Sequence, residues 1–344
     1  MNTPTRDAGL TSALEWLSVH IGTPARAGDR TPHGLHDAHA GTHSFTLSWA
    51  SSGSMGPVAQ AIERLESSQA SGPIRVVVVP YMGDAGAARC ERAQIGWLDL
   101  SGNASLRGPG LRVQVLGNPN KFVRRGRPAN PFATKSARVA RWLLMHPREA
   151  WRQRDIAEAI GLSDGAVSKV VRAYEEQGLV VRDPAGAVRA AEPSLLLDAW
   201  RERYRFDRHH VRAGTVATRT SVELTRRIGT MLERARVRHA FTGLAAAWWW
   251  DAFASFRTVA VFVSGQPERA LEDLGFVEEP RGANLWVISP ADEGVFHGRA
   301  MRDGVCVVHP VQAYLDLGAQ AERAAEAAEH LRTHVLNAQW RGDA

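Results

Sequence analysis

The sequence predicts a multidomain chain of the α/β (α+β) class, on three observations. Helix-like and strand-like runs alternate over most of the chain, as in layered α/β domains. Between residues 152 and 190, two short amphipathic helical stretches are joined at a glycine and followed by a strand–turn–strand. That is the pattern of a winged helix-turn-helix. The length, 344 residues, suits two or three domains. The expected division is an N-terminal helix and flexible loop (1–43), a small α/β domain (44–116), a basic linker (117–134), the winged helix-turn-helix (135–192) and a C-terminal α/β domain (193–344).

Residues 10–20 read as a helix. Residues 22–43 are rich in Gly, His, Pro and Asp and read as a loop. His33, His36 and His39 fall there, but Gly34, Gly41 and the lack of acidic or cysteine partners argue for solvated side chains over a metal site. Ser44–Trp49 alternates like a strand, and Val58–Leu65 reads as a helix. Ile74–Val79 (IRVVVV) is a β-branched run typical of a strand buried on both faces. Ala85–Ala93 reads as a helix and Ile95–Leu100 as a strand. Gly108-Pro109-Gly110 turns the chain into a further strand, Leu111–Val115.

The linker carries Lys121, Arg124, Arg125 and Arg127 among Pro, Asn and Gly. Two readings stand for it: a solvated connector, or a basic arm touching a nucleic-acid backbone.

Lys135–His146 is the first helix of the central domain, with Val139, Trp142 and Leu143 at core spacing. Ile156, Ala157 and Ile160 form the apolar face of the second. Gly161 makes the turn, where a positive φ costs glycine nothing. Ser163 is the N-cap of the third helix, which extends to Gln177. Ala166, Val167, Val170 and Val171 are its buried face, and Gly178 closes it. Leu179–Val181 and Ala187-Val188 flank Asp183–Gly186 as the wing.

Beyond the wing, helices are expected at Pro193–Phe206, Ser221–Ala235, Pro267–Leu274, Pro310–Asp316 and Gln320–Asn337. Strands are expected at Thr258–Val263, Asn284–Ser289 and Val305–His309.

From Lys121 to Ala190 there are 14 Lys and Arg against 7 Asp and Glu. The whole chain carries +6, so its basic excess sits wholly in this region. Such a concentration is the electrostatic footprint of a phosphate-binding surface. A third helix entering the major groove would present Ser163, Asp164, Gly165, Ser168, Lys169 and Arg172. Lys169 and Arg172 suit guanine or phosphate. Arg152, Gln153 and Arg154 open the preceding helix and would meet phosphates. Arg182 and Arg189 flank the wing tip and would reach the backbone or minor groove. Double-stranded promoter or operator DNA is therefore the expected partner. A purely structural or protein-binding role is the competing reading of the same helices.

Other classes are argued against by composition. No run of about 18 apolar residues occurs, so no membrane partner is expected. The N-terminus lacks the basic and apolar regions of a secretory signal, so the cytoplasm is the expected compartment. Cys90 and Cys306 are the only cysteines, and neither has a CxxC neighbour. No metal and no cofactor is expected.

Several separated motifs, in order, resemble one family. They begin with Gly96-Trp97-Leu98-Asp99-Leu100-Ser101-Gly102-Asn103 and the Pro109-Gly110-Leu111 turn, followed by Asn130-Pro131-Phe132. Gly161-Leu162-Ser163 and Val167-Ser168-Lys169-Val170-Val171 come next, then Phe241-Thr242-Gly243-Leu244-Ala245-Ala246. Val308-His309-Pro310-Val311-Gln312-Ala313-Tyr314-Leu315-Asp316-Leu317 completes the set, running on to Glu326–Arg332. Over roughly residues 74–337 the chain resembles the AbiEi-type antitoxins of type IV toxin–antitoxin systems, in the branch with a degenerate N-terminal α/β domain. The resemblance implies a sequence-specific DNA-binding regulator, a repressor, often paired with a nucleotidyltransferase-like toxin. Where the family often has a Gly-Gly-Arg-Gly-like stretch, Gly318 here leads into Ala319-Gln320-Ala321. Both a homodimer and monomers on inverted repeats fit this reading. A ligand-responsive or mobile-element regulator unrelated to a toxin is the alternative.

Three enzyme readings compete with this one. The C-terminal region resembles a nucleotidyltransferase-like α/β fold, which needs a Gly-Ser turn and paired carboxylates for Mg²⁺. Here Thr242-Gly243-Leu244 stands at the turn, Asp251 is the sole nearby acid, and Thr258–Val263 carries none. A nuclease core would need an acid pair and a lysine, but no Glu-x-Lys follows Asp99, which reads as a hydrogen-bonded turn with Ser101 and Asn103. Cys90 lies near Arg89 and Arg92, but no histidine is placed beside it by sequence. The expectation is binding without catalysis.

Overall fold

The computed structural model describes residues 4–30, 34–68, 73–122, 130–321 and 323–342. The protein is mixed α/β and divides into two compact units, Met1–Asn130 with Ala173–Val180, and Pro131–Arg172 with Val181–Ala344.

In the first unit, helix α1 (Arg6–Ile21) precedes an antiparallel meander of β1 (Ala25–Arg30), β2 (His36–Ala40) and β3 (His43–Trp49). Helix α2 (Met55–Glu66) crosses to β4 (Ile74–Val79), parallel to β3. Helix α3 (Asp84–Arg92) crosses to β5 (Gly96–Asp99), parallel to β4. The antiparallel β6 (Ala104–Gly108) and β7 (Leu111–Val115) complete a seven-stranded sheet in sequential order.

The IRVVVV run explains its own burial. Strand period two sends Val76 and Val78 to one face, where they join Leu10, Leu17, Phe45 and Leu47. Val77 and Val79 go to the other face, with Val58, Ile62, Leu65 and Trp97. Helices on both faces of a parallel centre leave no room for alternation in the sequence.

The expected loop at 22–43 is corrected by the structure: β1 and β2 occupy most of it. Their Gly-, Asp- and His-rich sequences have little strand propensity, and pairing to β3 supplies the order. His36 and His39 sit on β2, and His39 Nδ1 lies 3.1 Å from Ser44 Oγ. His33 lies outside the described residues.

The second unit contains α4 (Ala137–Met145), α5 (Gln153–Ile160), most of α6 (Asp164–Glu175) and of β8 (Val180–Arg182), and β9 (Val188–Ala190), which pairs with β8. Helix α7 (Pro193–Arg201) leads to β10 (His210–Thr215), α8 (Ser221–Arg234), β11 (Arg238–Thr242), α9 (Gly243–Trp250), β12 (Val259–Ser264) and α10 (Glu268–Asp273). There follow β13 (Val277–Glu278), β14 (Leu285–Ser289), β15 (Ala300–Arg302), β16 (Val305–Val307) and α11 (Pro310–Leu317). Last come α12 (Ala324–His330) and α13 (Asn337–Arg341), joined by a π turn at Leu331–Leu336. The large sheet runs β13-β10-β14-β12-β11-β16-β15, with β12–β14 and β11–β16 parallel and the other pairs antiparallel. Thr220 caps α8 by accepting the Glu223 N–H at 3.1 Å.

Sequence periodicity predicts one helix over 320–337; the chain is helical from Ala324 to Arg341, with the π turn at Leu331–Leu336 within that run. The sequence pattern predicts no strand at β6, β10, β11, β13 or β15. His210–Thr215 is short and contains Ala and Gly, which favour strands weakly, and its order comes from pairing with β14.

The turn between α5 and α6 follows from Gly161. It adopts φ +65°, Leu162 N–H reaches Ala157 O at 3.0 Å, and Gly161 N–H reaches Glu158 O at 3.4 Å. Gly161→Ala is expected to destabilise the protein by about 1–2 kcal/mol from backbone strain alone. The nearest atom to an added Cβ, Arg138 Nη1 at 3.7 Å, makes no clash. Urea denaturation reads this directly, and an unchanged midpoint would show that the turn tolerates another conformation.

Candidate nucleic-acid interface

Burial decides which side of α5 and α6 is offered to a partner. Ile156, Ala157, Ile160, Val167, Val170 and Val171 are all buried. On the opposite side of α6, Asp164, Gly165, Lys169 and Arg172 are exposed and Ser168 is half-buried. Positions 165, 168, 169 and 172 follow the three- and four-residue spacing that lines up one helix face. An added Cβ at Gly165 would meet nothing within 4 Å, so this end of the helix is open.

Ser163 is exposed and holds the start of α6. Its carbonyl accepts the Ala166 and Val167 N–H groups at 3.0 and 3.1 Å, and its hydroxyl oxygen accepts from Ala166 N–H at 3.3 Å. Asp164 complements the helix dipole there, which makes that terminus a poor phosphate seat. The cations stand one and two turns further along.

Arg152 and Arg154 are exposed and Gln153 is half-buried at the start of α5. In the amide orientation that satisfies both groups, Gln153 accepts from Arg182 Nη1 and Nη2 at 2.9 and 2.8 Å. Arg182 also donates to Gly186 O at 2.9 Å. Asp183 shapes the same turn by accepting the Ala187 N–H at 2.8 Å. Arg189 is exposed on β9 and donates to Ala190 O at 3.2 Å. The structure thus joins Gln153 to Arg182 on β8. Arg124 and Arg125 lie outside the described residues.

Three cations in the basic segment serve a different purpose. Arg138 makes a two-pronged ion pair with Asp292, both bonds 2.8 Å, and holds that carboxyl below its usual range despite burial. Arg141 is buried beneath Trp200, its guanidinium 5.0 Å from the ring centre. Arg148 leans on the Gln339 and Trp340 carbonyls. Charge counting along the sequence cannot separate these from the exposed group, because the partners named here lie 59 to 192 residues away.

Arg141 belongs to a buried polar network. It donates to Gln312 Oε1, and Gln312 Nε2 donates to Asp316 at 2.9 Å. Asp316 also accepts from the Tyr204 and Thr242 hydroxyls, both at 2.5 Å. His209 Nδ1 accepts the Ala291 N–H at 3.1 Å, which leaves Nε2 to face Tyr204 Oη at 2.9 Å. Burial pushes His209 down to about 4, so it is neutral at pH 7. Burial pushes Asp316 up to about 6, against three side-chain hydrogen bonds that favour its charged form. The sequence marks none of these residues as a site, since the network exists only across α4, the segment between α7 and β10, β11 and α11.

The enzyme-like positions are occupied differently. Gly243 turns β11 into α9 at φ +58°, and Leu244 N–H donates to Gln320 Oε1 at 2.6 Å. Gln320 therefore fills the helix N-terminus at which a phosphate would sit. Strand β12 carries no acid. Asp99 is buried and accepts from Met82 N–H, Asn103 N–H and Asn103 Nδ2 at 3.1, 2.9 and 2.9 Å, so its oxygens are committed to a turn. Among the described residues, no group of three or more His, Cys, Asp and Glu side chains could hold a metal. No helix among them is long and apolar enough to cross a membrane.

Both cysteines are buried, and burial pushes Cys90 up to about 12 and raises Cys306. A thiol-specific disulfide reagent is expected to label them only as urea unfolds the chain. Fast stoichiometric labelling of the native protein would contradict this burial.

No family model, curated protein or solved structure matches the chain.

Proposed function

We propose that the protein is a sequence-specific double-stranded DNA-binding regulator, a repressor, that reads promoter DNA through a winged helix-turn-helix formed by α4, α5, α6 and the β8–β9 wing. The observation that carries this reading is the exposed face bearing Lys169 and Arg172, with Arg152 and Arg154 at the start of α5 and Arg182 and Arg189 on the wing. In this reading α6 enters the major groove, and Lys169 and Arg172 contact bases or phosphates. The arginines of α5 and the wing fix the register on the backbone.

The chain's role is antitoxin-like, with a nucleotidyltransferase-like toxin as its further protein partner, and its work is in the bacterial cytoplasm. The C-terminal α/β domain is a nucleotidyltransferase-like fold without catalysis. Gln320 at the α9 N-terminus and the acid-free β12 support that statement. Two-fold symmetry would suit a palindromic operator and a homodimer.

The test is an anisotropy titration of the full chain against a duplex from its own promoter and a scrambled duplex, at two salt concentrations. Tight binding that prefers the promoter is expected, weakening as salt rises. Equal binding to both duplexes would reduce the protein to a non-specific binder. Absence of binding would return the winged helix to a protein-interaction role.

A further inference from the structure

A narrow cleft opens beside the buried network, between α4 and the segment that follows α7. Its walls carry more cations than acids. Arg141, Arg203 and Arg208 all contribute to its walls. Among the described residues, none of the three forms an ion pair. Arg203 lies over the Phe132 ring at 5.8 Å, and Arg208 Nη1 donates to the Thr134 hydroxyl at 3.5 Å. The acid in the wall, Asp292, is already taken by Arg138 through two bonds of 2.8 Å. Arg205, also at the cleft, is matched by Asp207 at 2.6 Å.

Arg141 makes this more than a charged patch. It is 4% exposed, and its Nε–H has no acceptor among the described residues. A buried guanidinium N–H without an acceptor costs free energy, which an oxyanion would recover. Tyr204, His209 and Gln312 line the same cleft and supply further polar groups beside it.

We propose that this cleft binds a small oxyanion, a carboxylate or phosphate group, through Arg141, Arg203 and Arg208. Arg208 is exposed and Arg203 half-buried, so these two capture the anion at the mouth. Arg141 receives it from within. Because Arg141 lies on α4, the site touches the first helix of the proposed DNA-reading domain. The site itself stands on its own residues, whatever nucleic acid the chain reads.

Calorimetric titration of the full chain without DNA tests this. The probes are inorganic phosphate and benzoate, with benzamide as the neutral counterpart of benzoate. Saturable binding of at least one anion in the millimolar range or tighter is expected, with none for benzamide. Phosphate alone would assign the site to phosphate groups, and benzoate alone to carboxylates. Arg208→Ala and Arg203→Ala should each weaken the bound anion by about tenfold, with melting temperature unchanged. Arg141→Met should abolish binding, and its melting curve checks that it folds. No saturable binding of either anion would overturn the proposal. So would binding that persists unchanged in both mouth variants. Because no DNA is present, this outcome is independent of the promoter titration.

Discussion

The double variant Lys169→Ala/Arg172→Ala is expected to lose promoter binding while keeping its fold. Both side chains are exposed on α6, and the buried face of Val167, Val170 and Val171 is untouched. Each substitution should cost about 1–3 kcal/mol if the side chain contacts a base, and should relax preference at that base pair. A phosphate contact behaves differently: affinity falls on every sequence, and the salt slope drops by about one per contact. Single variants measured on promoter and scrambled duplexes at several salt concentrations separate the two roles. Arg182→Ala should reduce the slope in the same way, since its anchoring to Gln153 and Gly186 holds it at the wing. Wild-type affinity in the double variant would remove α6 from the interface altogether.

Asp316→Ala is expected to be the most damaging single change in the second unit, at about 3–5 kcal/mol. It would strip the Tyr204 and Thr242 hydroxyls and Gln312 Nε2 of a shared acceptor, and leave the Arg141 charge without its nearest compensation through Gln312. Chemical denaturation measures the loss. The milder Asp316→Asn variant keeps the experiment interpretable if the alanine form does not fold.

The same carboxyl has a signature in pH. Its folded-state value of about 6 lies above the 3.8 of a free aspartate. The folded protein therefore holds this proton more tightly than the unfolded chain does. The group favours folding most below about pH 4, and that contribution is lost as pH rises through about 6, on the order of 2–3 kcal/mol in all. Asp292 has the opposite sign, since its folded-state value is lowered. The difference between wild-type and Asp316→Asn stability curves isolates the single group. That difference should fall between pH 4 and 6, and a flat difference would mean that Asp316 is not buried in the polar network described here.

Much of the local structure was written in short-range pattern. IRVVVV had to be a strand covered on both faces, and Gly161 and Gly178 had to take positive φ where they do, at +65° and +66°. The apolar spacing of α5 and α6 likewise set which residues would be buried and which cations would remain outside. These features depend on periods of two and 3.6 residues and on backbone sterics, which act within one element.

Tertiary structure decided the rest. Strands β1, β2 and β10 have weak intrinsic preference and gain order from partner strands. A count of basic residues treated Arg138, Arg141 and Arg148 as equal to Lys169 and Arg172. Only the fold gives Arg138 to Asp292, buries Arg141 against Trp200 and sets Arg148 on the carbonyls of α13. The Arg141–Gln312–Asp316–Tyr204–His209 network was likewise invisible, because its members are separated by up to 175 residues. By itself the sequence determined the local elements and the exposed basic face, since those follow from neighbouring residues. Which charges that face keeps, and which the interior takes, depended on groups brought together only by folding, where burial makes an unpaired polar atom costly.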